Sequence, residues 1–159
     1  MLDQETIDRV VAEALHEDAP TGDITSLLAI TEDATATAVL AAREPGTFSG
    51  AEVFEAAFRL TDPRIQVELL KKDGDRFVPG DELARVSGPA RGILTAERIG
   101  LNFTQRMSGI ATLTATYVAA VKGTGATILD TRKTTPNLRA FERHAVVCGG
   151  GTNHRLNLS

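Results

Sequence analysis

A short apolar segment followed directly by a basic one limits most strongly what this chain can fold into. Residues 126–129 (ATIL) are almost continuously apolar, and the run DTRKT follows at once at residues 130–134. An apolar run of this length is typical of a strand buried on both faces of a parallel sheet. Ligands bind at the carboxyl ends of such strands in α/β sheets and barrels. The sequence therefore predicts an α/β domain with a ligand site at residues 130–134.

The charge distribution indicates a small anionic ligand. The whole chain has a net charge of −4. Residues 122–159 carry six Lys/Arg and two acidic residues, a net charge of +4, so residues 1–121 have a net charge of −8. An acidic protein with one local basic cluster is poorly suited to non-specific nucleic-acid binding. In the cluster, the Arg132 guanidinium matches a carboxylate or phosphate and Lys133 acts as a point charge. The alternative is a solvated basic loop.

Three glycines and an Asn-His-Arg run follow this cluster, at residues 149–151 and 153–155. Glycines free backbone N–H groups for an anion, but for these glycines alone a helix C-cap with a turn is the preferred interpretation. His154 could hydrogen-bond an anion, although a lone histidine is more often structural. Its closeness to Arg155 and to the glycines strengthens the binding interpretation.

Periodicity predicts the elements that hold these motifs. The predicted helices cover residues 4–17, 51–60, 95–121 and 138–147, and the predicted strands cover 35–43, 65–69 and 126–129. Asp3 and Thr95 are the expected N-caps, and the pair at 73–74 (Asp-Gly) predicts a hairpin. The pair at 108–109 (Ser-Gly) predicts a break in the long helix.

Other features predict a cytoplasmic protein without a metal site of its own. No stretch approaches the ~20 apolar residues that span a bilayer, and the N-terminus has neither the basic nor the apolar region of a signal peptide. Cys148 is the only cysteine, and a small buried apolar side chain is its preferred interpretation over a catalytic one. The acidic cluster at residues 16–18 (His-Glu-Asp) has no second cluster at metal-ligand spacing, so no metal ligands are assigned.

Further motifs stand in order along nearly the whole chain. They are ED at 17–18, GDITS at 22–26, GPAR at 88–91, ER at 97–98, LNF at 101–103, SGIAT at 108–112, DTRKTTP at 130–136, Arg139, AV at 145–146, GGG at 149–151 and NHR at 153–155. Together they resemble the quinolinate phosphoribosyltransferases, the carboxylating nicotinate-nucleotide pyrophosphorylases of NAD biosynthesis. Several ordered motifs at matching separations are far more specific than any one of them.

The resemblance implies both a fold and a reaction. The fold is α/β: an N-terminal α/β sandwich (residues 1–110, which can include a returning helix that caps the barrel) followed by the start of an incomplete α/β barrel (111–159), in a homodimer. The reaction is that of a pentosyltransferase. It joins quinolinate to phosphoribosyl pyrophosphate and yields nicotinate mononucleotide, carbon dioxide and pyrophosphate.

The resemblance also assigns roles to residues of this chain. Arg132, His154 and Arg155 hold the quinolinate carboxylates, with Lys133 beside them as the catalytic residue. Thr131 lines the same pocket.

Two further arginines and the metal complete these expectations. Arg98 reaches into the site of the partner subunit, and Arg139 is an outer phosphate-side or structural residue. Mg²⁺ is expected to arrive with phosphoribosyl pyrophosphate. Its protein ligands, a further lysine and a phosphate loop are expected beyond Ser159, so this chain alone is expected to be inactive.

Three alternatives remain open from the residues. A relative of the molybdenum-transport-associated type shares the DTRKT segment and would use another substrate. A second possibility is a non-catalytic dimerisation fragment. Residues 73–88 also resemble the turn of biotinyl or lipoyl carrier domains, but no lysine stands at the tip where the modification would be needed.

Overall fold

Helices and short strands alternate through residues 2–159, the part of the chain that this computed structural model describes. The helices are α1 (Gln4–Asp18), α2 (Ile24–Ala29), α3 (Ala51–Thr61), α4 (Ala90–Ala120) and α5 (Arg139–Cys148). The strands are β1 (Thr35–Ala41), β2 (Gly46–Thr47), β3 (Gln66–Leu69), β4 (Arg76–Phe77) and β5 (Glu82–Pro89). Among these helices, none combines the length and apolarity that a bilayer crossing requires.

An antiparallel sheet forms one layer of the fold. β5 lies in its centre between β1 and β3, and β2 pairs with β4 in a separate two-stranded sheet. Because side chains alternate along a strand, Ala84 and Val86 of β5 both face the helices. There they join a buried cluster with Phe54 and Phe58 of α3, together with Ile93 of α4.

A second buried cluster joins the helices to one another. It combines Ile7 and Val11 of α1, Val53 of α3 and Met107 of α4 with Phe141 of α5. The α1 helix begins where the sequence predicts, since the Asp3 carboxylate accepts a hydrogen bond from the Thr6 N–H at 2.8 Å. The predicted mixed α/β architecture is confirmed.

The predicted break in the long helix is wrong, because α4 runs without interruption from Ala90 to Ala120. It begins directly after Pro89, so Thr95 lies inside the helix and its hydroxyl donates to the Arg91 carbonyl. The Ser108 side chain is hydrogen-bonded to Ser49 and does not interrupt the helix. Its hydroxyl accepts a hydrogen bond from the Ser49 N–H and donates one to the Ser49 carbonyl. The domain boundary predicted at 110/111 falls inside this helix and stays a prediction.

Substituting Gly109 by alanine should therefore stabilise the chain. A Cβ at Gly109 would meet no atom within 4 Å, and the helix around it is regular. Because glycine loses more backbone freedom on folding than alanine, Gly109→Ala is expected to raise the free energy of unfolding by about 0.5–1 kcal/mol. Urea denaturation checks the sign; a lower value would show that the helix needs the glycine.

Two predicted β features are also wrong. Residues 126–129 form no strand buried on both faces: they make a single parallel bridge, Leu129 to Thr152, and Leu129 is 50% exposed. Within residues 2–159 only one backbone segment adjoins this run, so it does not form the inner strand of a sheet there. The turn at 73–74 joins β3 to β4, which lie in different sheets, and so makes no hairpin.

Candidate active site

A pocket of about 410 Å³ opens between α4, α5 and the loop after Leu129. Its lining residues are Arg106, Ile110, Leu129, Asp130, Thr131, Lys133, Thr134, Glu142, Arg143 and Val146. Four residues of the segment at 130–134 thus form one wall, and the helices form the others. Two of the predicted site residues, Thr131 and Lys133, line the pocket directly.

Asp130 organises the backbone of this site. Its carboxylate accepts the His154 N–H at 2.7 Å and the Arg143 Nε–H at 2.8 Å. With its amide nitrogen turned toward this carboxylate, Asn153 donates to the Asp130 Oδ2 at 2.6 Å. Arg143 also donates to the His154 carbonyl at 2.7 Å. The loops that carry the two predicted binding segments are therefore held together by one buried ion pair.

Arg139 fixes the same loops from the first turn of α5. Its guanidinium donates to the carbonyls of Arg132 and Leu156, each at 3.2 Å, and to the Thr134 hydroxyl at 3.1 Å. These three contacts are internal to the protein. They support the structural interpretation of Arg139 over a phosphate-side one.

The remaining predicted cations have no internal partner in the part of the chain that the structure describes. Within residues 2–159, the side chains of Arg98, Lys133, His154 and Arg155 make no ion pair and no hydrogen bond. The Arg132 Nε is buried without a hydrogen-bond partner in that part of the chain. Burying a polar atom without a hydrogen-bond partner is unfavourable. A bound ligand that accepts a hydrogen bond from the Arg132 Nε would remove this cost. The site combines paired cations that build it with unpaired cations that can bind an anion.

The structure does not bring all the predicted residues into one pocket. Arg132, His154 and Arg155 lie on the adjoining loops and do not line the cavity beside Thr131 and Lys133. Arg98 is exposed on α4, eight residues before the lining residue Arg106, a distance of about 12 Å along the helix.

Sequence reasoning missed three contributors to the site. Arg143 lies on the face of α5 opposite the buried Phe141 and Ala145, where it contacts Asp130, and no pattern along the sequence marks it as buried. Glu142 and Arg106 belong to no motif that marks a binding site in the sequence. Arg106 lies 3.6 Å from the Glu142 carboxylate, and it donates to the Thr135 hydroxyl at 2.9 Å, so both line the pocket.

The three glycines serve packing and helix termination. The N–H groups of all three donate to carbonyls of the last turns of α5, namely those of Ala145, Val147 and Val146. The C-cap interpretation is confirmed. A Cβ at Gly149 would lie 2.3 Å from the Ala111 carbonyl oxygen, so this glycine lets α5 end against the backbone of α4.

Cys148 lies in a polar cluster outside the pocket, so its interpretation as a buried apolar side chain is wrong. It is half-buried and receives a hydrogen bond from the Ser49 hydroxyl at 3.3 Å. His144 lies one turn earlier, with its Nε2 2.5 Å from the Asp73 Oδ2. Hydrogen bonds with Asp73 and Cys148 raise the pKa of His144 to about 10, against the opposing effect of burial.

Comparison with known proteins identifies the relatives of this chain. The family model described as the quinolinate phosphoribosyl transferase N-terminal domain matches residues 23–108, and the corresponding C-terminal model matches 110–159. A probable nicotinate-nucleotide pyrophosphorylase [carboxylating] of Bacillus subtilis is 44% identical over 89% of this chain and 49% of its own length. The chloroplastic enzyme of Arabidopsis thaliana is 45% identical over 94% of this chain and 42% of its own.

Solved structures agree with these sequences. The crystal structure of NadC from Streptococcus pyogenes superposes with a TM-score of 0.95 at 42% identity, covering 100% of this chain and 56% of that chain. This match confirms the predicted fold class. The chain spans about half the length of the curated relatives it matches. The two family models together match residues 23–159 except residue 109. The chain therefore belongs to the quinolinate phosphoribosyltransferase family.

Proposed function

We propose that the full-length cytoplasmic protein containing this chain transfers the phosphoribosyl group of phosphoribosyl pyrophosphate to quinolinate and decarboxylates the product. The products are nicotinate mononucleotide, carbon dioxide and pyrophosphate. The relatives bear the names of this carboxylating activity, which favours quinolinate over the substrate of a molybdenum-transport-associated protein. In this proposal, residues 1–110 form the sandwich and 111–159 begin the catalytic barrel.

The unpaired cations carry the proposal. Quinolinate is a dianion, so its binding requires positive charge that the protein has not already neutralised. Among the residues that the structure describes, Arg132, His154 and Arg155 have no anionic partner, whereas the neighbouring Arg143 is held by Asp130. We assign the first three to the carboxylates, and Thr131 to the pocket wall.

The chemistry requires positioning and charge more than a nucleophile. The ring nitrogen of quinolinate attacks C1′ as pyrophosphate leaves, and the ribosylated nitrogen becomes cationic. The bond from the adjacent ring carbon to its carboxylate can then break, because its electron pair is stabilised by that cation. A proton replaces the lost carbon dioxide. Lys133, on the pocket wall, is placed to stabilise the negative charges of the reacting groups.

The carboxylates of this pocket do not fit a magnesium ion. Mg²⁺ prefers carboxylate oxygens and waters in octahedral geometry. Asp130 is occupied by Arg143 and the His154 N–H, and Glu142 is occupied by Arg106 and the Thr135 N–H. We therefore assign Mg²⁺ to phosphoribosyl pyrophosphate and no Mg²⁺ ligand to residues 2–159.

Arg98 is assigned to the active site of a partner subunit in a homodimer. It is exposed and lies one turn beyond Leu94, on the same face of α4. Leu94 and Ile24 are 43% and 62% exposed, and both line a depression on this surface. An exposed apolar surface beside an unpaired arginine supports a subunit contact here.

Quinolinate-dependent release of carbon dioxide tests the function. We expect the full-length protein to release it only when quinolinate, phosphoribosyl pyrophosphate and Mg²⁺ are all present. Arg132→Ala should lower kcat/KM for quinolinate by about 100-fold, or about 3 kcal/mol, because a bound carboxylate loses its charged partner. Arg85→Ala, in an exposed ion pair on β5, is the control. Absence of release from the folded full-length protein would refute the function, and equal activity of the two variants would refute the role of Arg132.

Mixing two impaired variants tests the shared site. Full-length Arg98→Ala and Arg132→Ala proteins should each keep only about one hundredth of wild-type activity, but heterodimers formed by subunit exchange contain one site free of both substitutions. We expect up to about one quarter of wild-type activity to return, since half the subunit pairs are mixed and each has one intact site. Exchange confirmed by mass, with no return of activity, would contradict the crossing of Arg98.

A further inference from the structure

Three side chains with metal-binding atoms converge outside the pocket. The ligand atoms of Asp73, His144 and Cys148 all lie within 4.8 Å of one another. They come from two places in the sequence, since the turn at Asp73 precedes α5 by more than sixty residues. His144 and Cys148 stand four residues apart on α5, so both side chains project from the same face of the helix.

We propose that Asp73, His144 and Cys148 form a binding site for a divalent transition-metal ion of the zinc class. One thiolate, one imidazole and one carboxylate are ligands that Zn²⁺ accepts, and three protein ligands leave a fourth position for water. Mixed sulfur, nitrogen and oxygen donors disfavour Mg²⁺ and Ca²⁺, which bind oxygen almost exclusively.

The surroundings orient the carboxylate toward the other two donors. The Asp73 Oδ1 accepts the N–H groups of Gly50 and Ala51 at 3.0 and 2.9 Å, so its Oδ2 is directed at His144. Such outer hydrogen bonds are how proteins fix metal ligands. The Ser49 hydroxyl, 3.3 Å from the Cys148 sulfur, orients the thiol in the same way.

The site can adjust to the dimensions of a metal. Donor atoms around tetrahedral zinc are about 3.3–3.8 Å apart, so the Asp73 and His144 atoms, now 2.5 Å apart, must separate by about 1 Å. The His144 side chain is 31% exposed, which leaves its ring room to move. The carboxylate is fixed by the backbone, so the histidine moves.

Titration with Co²⁺ at mildly alkaline pH tests the site, because both ligand protons must be released for binding. Wild-type chain should develop the near-ultraviolet charge-transfer band of a thiolate–cobalt bond, and Zn²⁺ should remove that band. Because Cys148 is the only cysteine, Zn²⁺ should also slow its reaction with a disulfide reagent, by about tenfold or more.

Variants locate the bound metal. His144→Gln and Cys148→Ala should weaken Co²⁺ binding by about 100-fold or more, whereas His16→Gln, at an exposed histidine on α1, should bind as wild type does. Asp73→Asn keeps an acceptor for the α3 N–H groups while removing the charge, so it tests the third ligand without loss of the fold. Absence of the charge-transfer band with unchanged thiol reactivity would overturn the proposal, and so would a band retained in His144→Gln.

Discussion

Replacing Arg143 by methionine is expected to lower the free energy of unfolding by about 3–5 kcal/mol, because it leaves a buried carboxylate without its partner. The Asp130 side chain is only 3% exposed and that of Arg143 only 11%. The methionine restores most of the apolar volume of the lost side chain. The effect therefore measures the unpaired charge more than a cavity.

Urea denaturation of two companion variants separates the possible causes. Asp130→Asn combined with Arg143→Met removes both charges, so the double variant should be more stable than Arg143→Met alone. Arg85→Met breaks only exposed ion pairs and should cost less than about 1 kcal/mol. Equal losses in Arg143→Met and Arg85→Met would show that the buried pair contributes no more than a surface one.

Gly149→Ala is expected to destabilise the chain by about 3 kcal/mol, at the upper end of ordinary overpacking. The added Cβ would lie 2.3 Å from the Ala111 carbonyl oxygen and 2.7 Å from the Thr114 Cβ. Neither is the free end of a flexible side chain, so α5 must shift away from α4. The shift would also move Arg143 and with it the loops that Asp130 holds.

Gly109→Ala is the matched control for Gly149→Ala, because the same substitution is made in the same chain at a site with open space. Both substitutions add the same methyl group to a helix or its end, but only Gly149 faces backbone across a helix contact. Opposite signs of the change in unfolding free energy are expected from urea denaturation. A Gly149→Ala chain as stable as wild type would show that α5 can move without loss.

Local patterns predicted the elements that depend on neighbours in sequence. The Asp3 cap, the amphipathic helices α1, α3 and α5 and the strand β1 all rest on residues a few positions apart. The break predicted at the Ser-Gly pair 108–109 was wrong because it depends on a distant residue. The Ser108 hydroxyl is hydrogen-bonded to Ser49, 59 positions away, and the helix continues unbroken.

The residue types of the candidate site could be predicted from the sequence, but the contacts between its side chains could not. Four residues of the run at 130–134 line the pocket, including Lys133, whereas Arg132 lies on the adjoining loop. The internal partners of the site could not be derived, because Arg143 and Asp130 meet through the folding of a loop onto a helix. For the same reason, spacing along the chain could not reveal that Asp73 lies beside His144, 71 residues later.

The cluster that joins the helices has a consequence for how the protein is made. Ile7 and Val11 of α1 belong to a buried cluster that also contains Phe141 and Ala145 of α5, which are synthesised more than a hundred residues later. A growing polypeptide therefore keeps this cluster incomplete, with part of its apolar surface uncovered, until α5 has left the ribosome. At about 5–20 residues per second, that interval lasts roughly 10 seconds, during which chaperones have a surface to hold.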